Sequence, residues 1–353
     1  MDRINVGIIG TGWCGGIRAE TAADSPFVNE LHIAENRPER LEEMMKLVNP
    51  KTATTEYQKL LDNKDIDAII ISATPETTHY TMAKAALSAG KHVFMEKPIA
   101  STLEEVDDLD KTARENNLKF TIGYSQRFNP KYAYMREKLL DGTIGEPITG
   151  LISRHITRSL GKKITGRTRL SPAAMEATHD LDFMLWCLEP RKPIRIYAQA
   201  VEKEMIKTAN APDHMWIIVT MDDGFTFTVG AGWILPPGYH NQSGTWLELI
   251  GSDGALMIDD THRDVIINTV KDGIQFPIST MPGERVGHVY AGPMADETTH
   301  FLDAIARDRP VLVTVEQARK VMECYIAADL SAERNEPVNL PMNATPAIKA
   351  MAV

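Results

Sequence analysis

The chain has 353 residues, 43% of them hydrophobic, which is enough for two domains or one large one with a sizeable core. Its net charge of −10 argues against a nucleic-acid or anionic-membrane partner, and no apolar run reaches the about 18 residues needed to span a bilayer. Cys14, Cys187 and Cys324 are far apart and odd in number, and Asp2 and Arg3 lead straight into a strand, so a disulfide framework and a signal peptide are not expected and a cytoplasmic protein is.

Val6-Gly7-Ile8-Ile9 is a short apolar run that reads as a buried parallel strand. Gly10, Thr11, Gly12, Trp13, Cys14 and Gly15 follow with the spacing G-x-G-x-x-G. Gly10 allows the tight turn, Gly12 leaves room for a pyrophosphate against the backbone, and Gly15 lets the next helix pack close. The phosphates then meet a helix N-terminus, whose free N–H groups and dipole favour negative charge. A second strand, 29–35, ends at Glu35, twenty residues beyond Gly15, where a dinucleotide fold places the acid that holds the adenosine ribose. Glu35 favours NAD, because a carboxylate repels a 2′-phosphate, whereas Asn36, Arg37 and Arg40 leave NADP open.

Strand and helix alternate to about residue 122. Strands are expected at 4–9, 29–35, 67–73, 91–96 and 118–122, with helices near 14–23, 38–48, 56–62, 77–89 and 102–116. Residues 1–122 therefore read as a Rossmann-type, doubly wound parallel α/β domain. Thr74 and Pro75 follow the third strand, where ligands of open α/β sheets bind; they are assigned to the cofactor, as is His79 one turn on, although a structural role is the plainer reading of His79. Glu96-Lys97-Pro98 ends the fourth strand and brings an amine close to the expected nicotinamide, where it can polarise a carbonyl or stabilise an alkoxide. Arg127, in Gly123–Pro130, is a candidate contact to substrate or cofactor, with a surface arginine at a domain crossover as the plainer reading.

After a helix at 130–141, strands are expected at 147–152, 215–221, 225–230, 246–250, 255–258 and 265–270. Residues 123–353 thus read as an α+β domain with a large, mostly antiparallel sheet, closed by helices at 294–308 and 315–334 and ending in a tail of about a dozen residues. In the segment 176–188, helical spacing gathers Leu181, Met184, Leu185 and Leu188 on one face and Glu176, His179, Asp182 and Trp186 on the other. His179 and Asp182, three apart, are neighbours. The spacing of Glu176, His179 and Asp182 also admits a metal, but none is assigned. Between Glu146 and Glu176 there is no acid, while Arg154, His155, Arg158, Lys162, Lys163, Arg167 and Arg169 crowd in. This stretch suits a substrate carboxylate or phosphate, with a solvated loop or subunit contact as the plainer reading.

The runs V-G-I-I-G-T-G-W-C-G-G, D-A-I-I-I-S-A-T-P-E-T-T-H, A-L-S-A-G-K-H-V-F-M-E-K-P-I-A and G-Y-S-Q-R-F-N-P occur in this order. The chain resembles the glucose–fructose oxidoreductase / inositol dehydrogenase (Gfo/Idh/MocA) family. The resemblance implies an NAD- or NADP-dependent oxidoreductase that moves a hydride between nicotinamide and a hydroxyl of a sugar, inositol, sugar acid or related polyol. It implies a catalytic Lys97, followed by a cis bond to Pro98, and an H-x-x-D pair at His179 and Asp182. His179 takes the hydroxyl proton, Lys97 stabilises the oxyanion, and Asp182 orients the substrate or the imidazole. Arg127, Arg154, Glu176 and His179 are expected at the substrate. Many members carry an aspartate four residues before the histidine; here that position is Met175, and Glu176 either replaces it from a shifted place or leaves Lys97 and His179 alone. Gln126 stands where the family often has arginine. A sheet with one face to cover suggests a homo-oligomer, dimer or tetramer. Competing functions are an NAD-dependent glycoside hydrolase of the same fold and a non-catalytic ligand sensor.

Overall fold

The computed structural model describes residues 3–167, 170–236, 239, 243–261, 267–275 and 283–342. Its first elements are β1 (Ile4–Ile9), α1 (Trp13–Ala23), β2 (Val28–Ala34), α2 (Pro38–Val48), β3 (Thr52–Thr54), α3 (Gln58–Asp62), β4 (Ala68–Ile71), α4 (His79–Ser88), β5 (His92–Met95), α5 (Leu103–Glu115) and β6 (Phe120–Ile122). The strands form one six-stranded sheet in the order β3-β2-β1-β4-β5-β6, and every pair is parallel. The central strands are unbroken apolar runs because helices cover both faces. Val6, Ile8 and all four residues of β4 have no exposed surface. The strand order reverses between β1 and β4, and ligands of such sheets bind beyond the carboxyl ends at that point.

Local signals set the helix ends. Thr102 and Glu105 form a reciprocal capping box at the start of α5. Gly90, at φ +76°, stops the chain after α4. Between β4 and α4 the Thr74–Pro75 bond is cis, and a short 3₁₀ turn, Glu76–Thr78, precedes α4. β3 was not expected, because three polar edge residues carry no periodicity.

The chain continues with α6 (Pro130–Leu140), β7 (Pro147–Thr157), α7 (Arg158–Thr165), a π turn (Ala173–Ala177), α8 (Thr178–Leu188), β8 (Pro193–Val201), α9 (Met205–Ala209), β9 (His214–Met221), β10 (Thr226–Leu235), β11 (Ser243–Gly251), β12 (Ala255–Asp259), the hairpin β13 (Ile267–Thr269) and β14 (Gly273–Gln275), and the hairpin β15 (Glu284–Val286) and β16 (Val289–Ala291). Then come α10 (Pro293–Ala306), α11 (Val315–Arg334) and β17 (Val338–Asn339). A seven-stranded sheet runs β12-β11-β7-β10-β9-β8-β17, antiparallel except for β7 and β10. β8 is an additional strand: Ile196 and Ala198 point into the core, while Arg195, Tyr197 and Gln199 alternate with them. Its leading proline and charged residues hide that alternation.

The expected two-faced helix around residue 180 is replaced by a helix buried all round. From Ser171 to Leu188 only His179 keeps appreciable exposure. Tyr132 and Arg136 of α6 pack on Phe183 and Trp186 from one side. Gly150 and Arg154 of β7 and Trp233 of β10 meet it from the other.

The chain divides into two compact units, Met1–Phe128 with Thr280–Arg319, and Asn129–Ser279 with Lys320–Val353. The expected division at 122/123 into two continuous segments misses the return of 280–319. Phe301 and Leu302 of α10 are buried in the core of the first unit with Val6, Ile8, Ile33 and Phe94. Val265, Ile266, Arg169 and the tail beyond Met342 lie outside the described residues. Among the described residues no helix is long and apolar enough to cross a membrane.

The glycine turn can be tested directly. A Cβ on Gly15 would stand 1.9 Å from the Gly10 carbonyl oxygen, whereas a Cβ on Gly12 meets nothing within 4 Å. Gly15→Ala should lose at least about 1–3 kcal/mol in urea unfolding, and Gly12→Ala should stay within about 0.5 kcal/mol of the parent.

Candidate active site

In the first unit, β1 ends at Gly10, whose φ of +81° suits a residue without Cβ and whose N–H donates to the Ala34 carbonyl at 2.8 Å. α1 opens at Trp13 with Gly12 as its cap; no side chain caps it and no acid stands in its first turn. Open space at Gly12, close backbone approach at Gly15 and an uncapped helix N-terminus together fit a pyrophosphate. Trp13 is 66% exposed beside this cradle, and Cys14 is half-buried.

Glu35 is buried at the end of β2 and faces the cradle. Its Oε2 accepts from the Thr11 N–H at 2.8 Å and the Thr11 hydroxyl at 2.9 Å. Its Oε1 accepts from the Arg37 N–H at 3.1 Å and Arg37 Nε at 2.8 Å. Burial alone would raise its pKa, but the bonds from Arg37 and Thr11 outweigh burial and bring it down to about 2. Asn36 is exposed.

Thr74 and Pro75 are exposed at the end of β4. His79 is buried, with Nδ1 2.7 Å from the Pro98 carbonyl oxygen and Nε2 3.0 Å from that of Ala73. Rather than facing open space, its ring ties the turn after β4 to the turn after β5. Lys97 is half-buried, and its bond to Pro98 is cis, as the resemblance implies. Glu96 is gripped by Arg18 of α1 through Nε at 2.8 Å and Nη2 at 2.6 Å. Arg18, 1% exposed, also donates to Glu297 at 2.9 Å and Thr298 at 2.9 Å, and lies 4.0 Å over the Phe94 ring. Burial disfavours its charge, but Glu96 and Glu297 more than compensate and raise its pKa. Sequence reasoning missed Arg18, Glu297 and Thr298. The available signal was an arginine at a position of α1 flanked by the buried Ile17 and Ala19.

Arg127 is 2% exposed, and its Nη1 reaches the Leu312 carbonyl at 3.2 Å and Gln317 Oε1 at 2.7 Å. It is held inside the first unit, which corrects its reading as a surface arginine.

In the second unit, α8 carries His179, half-buried, and Asp182, fully buried one turn later. Arg154 of β7 and Asp180 of α8 form a buried two-point ion pair, Nε to Oδ2 at 2.8 Å and Nη2 to Oδ1 at 2.6 Å. Asp180 raises the Arg154 pKa against the opposing effect of burial. Arg154, expected at the substrate, therefore fixes α8 to the sheet. Glu176 is buried in the π turn, and its Oε1 accepts from the Trp233 indole N–H at 2.9 Å. Trp233 packs in turn under Gly161 of α7. Lys162, Lys163 and Arg167 are exposed. Among the described residues no group of three or more His, Cys, Asp or Glu side chains could hold a metal ion.

Two family models match the chain: the oxidoreductase family with NAD-binding Rossmann fold, Gfo/Idh/MocA, over residues 4–124, and the Gfo/Idh/MocA C-terminal domain over residues 132–257. The chain belongs to the Gfo/Idh/MocA family. This member is an NAD-dependent oxidoreductase. It is 23% identical to myo-inositol 2-dehydrogenase of Thermotoga maritima, over 96% of this chain and 98% of that protein. It is 24% identical to scyllo-inositol 2-dehydrogenase (NAD(+)) of Bacillus subtilis, over 96% of each. Its fold matches the crystal structure of scyllo-inositol dehydrogenase from Lactobacillus casei with bound NAD(H) and scyllo-inositol, with a TM-score of 0.81 at 23% identity, covering 97% of this chain and 100% of that one.

Removing one partner of a buried ion pair leaves the other charge uncompensated, at a cost of about 3–5 kcal/mol. Asp180→Ala should lose that much in urea unfolding, and adding Arg154→Met to it should recover most of the loss. A single variant within about 1 kcal/mol of the parent would show the pair to be dispensable.

Proposed function

We propose that this Gfo/Idh/MocA member oxidises a secondary hydroxyl of a cyclitol, sugar or sugar acid by hydride transfer to NAD. The observation that carries the reading is the cradle at α1, open at Gly12 and free of capping groups, with Lys97 half-buried at the carboxyl end of the same parallel sheet. The inositol dehydrogenases to which the chain is similar over nearly its whole length supply the substrate class.

Gly10, Thr11, Gly12, Trp13, Cys14 and Gly15 line the pyrophosphate end, and Thr74 and Pro75 the edge beyond β4. When bound, NAD supplies the hydride acceptor. Lys97 stabilises the negative charge that develops on the substrate oxygen as the carbon loses hydride. His179 takes the hydroxyl proton, the general-base role for which imidazole is the commonest side chain. Asp182 orients the substrate or the imidazole, and Glu176, held by Trp233, accepts a bond from a neighbouring substrate hydroxyl. The acid-free run through α7 makes substrates with a carboxylate or phosphate arm part of any screen. The outer face of the seven-stranded sheet exposes Tyr197, Trp216, Ile218, Ile250 and Met257, and it is the face we propose for self-association.

Lys97→Ala and His179→Ala should each lower kcat by roughly 10²–10⁴-fold, the range for removal of acid–base or oxyanion groups. NAD affinity, read by calorimetry, should stay within a few fold. Normal turnover in both variants would refute the roles given to these residues.

A further inference from the structure

The seven-stranded sheet carries a pair of histidines that the proposed chemistry does not use. His155 of β7 and His214 of β9 both pair in register with Gly232 of β10, the strand between them. Residues directly opposite one another share a face of a sheet. Arg154, the neighbour of His155, points to Asp180 of α8, so both imidazoles lie on the face turned away from α8. Gly232 has no side chain to separate them, and the ring centroids stand 5.2 Å apart. Trp216, two residues after His214, lies over Gly230, where a Cβ would come within 2.3 Å of the indole. Its ring centroid is 4.7 Å from that of His214. Glycines at 230 and 232 thus let three rings close over the middle strand.

His214 is 3% exposed. Among the described residues, neither of its ring nitrogens has a hydrogen-bond partner, and nor has Nε2 of His155. The neighbours offer no acceptor for a proton. Opposite His214 stand Gly232 on β10 and Val201 on β8, and opposite His155 stands Gly244 on β11. Asp213 is the near carboxylate, but its oxygens already accept from the backbone N–H groups of Lys203, Glu204 and Met205, and Arg158 of α7 acts on its charge. Glu204 and Lys207 of α9 pair with each other at 2.9 Å. Burial lowers the His214 pKa, His155 lowers it further, and Asp213 offsets only part of this, which leaves it at about 4. Burial lowers that of His155 as well.

The Asp213 carbonyl, one residue before His214, accepts the Trp233 N–H at 2.7 Å, and the Trp233 indole holds Glu176 at 2.9 Å. A Cβ on Gly232 would stand 2.3 Å from that same carbonyl oxygen. The start of β9, the end of β10 and the π turn before α8 are therefore packed together beside the imidazole pair.

We infer that His155 and His214 form an acid-opened latch. When neutral, the two rings close over Gly232 and keep the Asp213–Trp233–Glu176 chain in place. A proton on His214 puts a charge where no acceptor meets it, which expels the ring and loosens that chain. The effect on turnover rests on the substrate role given to Glu176; the latch itself does not.

Histidine NMR signals of the full chain, without substrate or cofactor, read the latch directly. His214 should titrate below about pH 5, where an ordinary imidazole does so near 6.5. Between those values the opened state binds more protons than the closed one, so the latch holds above pH 6.5 and weakens as pH falls toward 4. With these two pKa values, opening is roughly 30-fold easier at pH 5 than at pH 7.5. Amide exchange, corrected for the direct effect of pH on its chemistry, should show protection of residues 230–235 falling at least tenfold over that interval in the parent. In His214→Phe, which keeps a ring but takes no proton, it should fall less than threefold. A His214 that titrates at pH 6 or above overturns the latch even if the variant does not fold. Unchanged protection in the parent, or an equal loss in parent and variant, overturns it too. Each of these results leaves the dehydrogenase reading untouched, because no step of the test involves hydride transfer.

Discussion

A buried arginine gripping a carboxylate recurs in the two units, and each time a residue adjacent to that carboxylate is a proposed catalytic group. Arg18 holds Glu96, which precedes Lys97. Arg154 holds Asp180, which follows His179. A guanidinium remains protonated under all ordinary conditions, so burying one is costly unless its charge and N–H groups are met at hydrogen-bond distance, here by carboxylates. That requirement leaves the backbone on either side of the carboxylate little freedom. A lysine and a histidine on partly exposed positions thereby gain rigid supports.

The dinucleotide cradle depends on a different constraint, the absence of side chains. Gly15 approaches the Gly10 carbonyl so closely that any Cβ would overlap it, while Gly12 faces open space. Helix and strand can then meet with the first N–H groups of α1 left for an anion. Thr11 links this turn to Glu35, and Glu35 to Arg37. The geometry at the pyrophosphate and the charge at the ribose end are therefore one connected structure. His79 does similar work beyond β4 and β5, bridging the two turns through backbone carbonyls.

Much of the first unit was legible in the sequence. Buried parallel strands are continuous apolar runs, and glycine spacing marks the turn that follows β1. Contacts distant in sequence were not legible. The side chain of Arg127 looked available on a loop, yet it is satisfied by residues 312 and 317. Arg154 belonged to a basic stretch, yet its partner is Asp180, which the helical wheel did not place near it. α8 was misread as two-faced because periodicity reports contrast, and here polar residues are buried by pairing: Asp180 with Arg154, Glu176 with Trp233. The return of α10 to the first unit follows from Phe301 and Leu302 filling a core begun at Ile4, Val6 and Ile8, a pairing that no local pattern encodes.

The most direct measurement is absorbance at 340 nm on mixing the protein with NAD+ and a panel of inositols, sugars and sugar acids. Hydride transfer from a carbinol carbon predicts growth of the reduced nicotinamide band with at least one of them, slowed when deuterium replaces hydrogen at the reacting carbon. Release of a free sugar with no net band would instead indicate hydrolysis through a transient oxidation. A protein that binds NAD+ and reduces none of it across the panel would contradict the assignment as a polyol dehydrogenase.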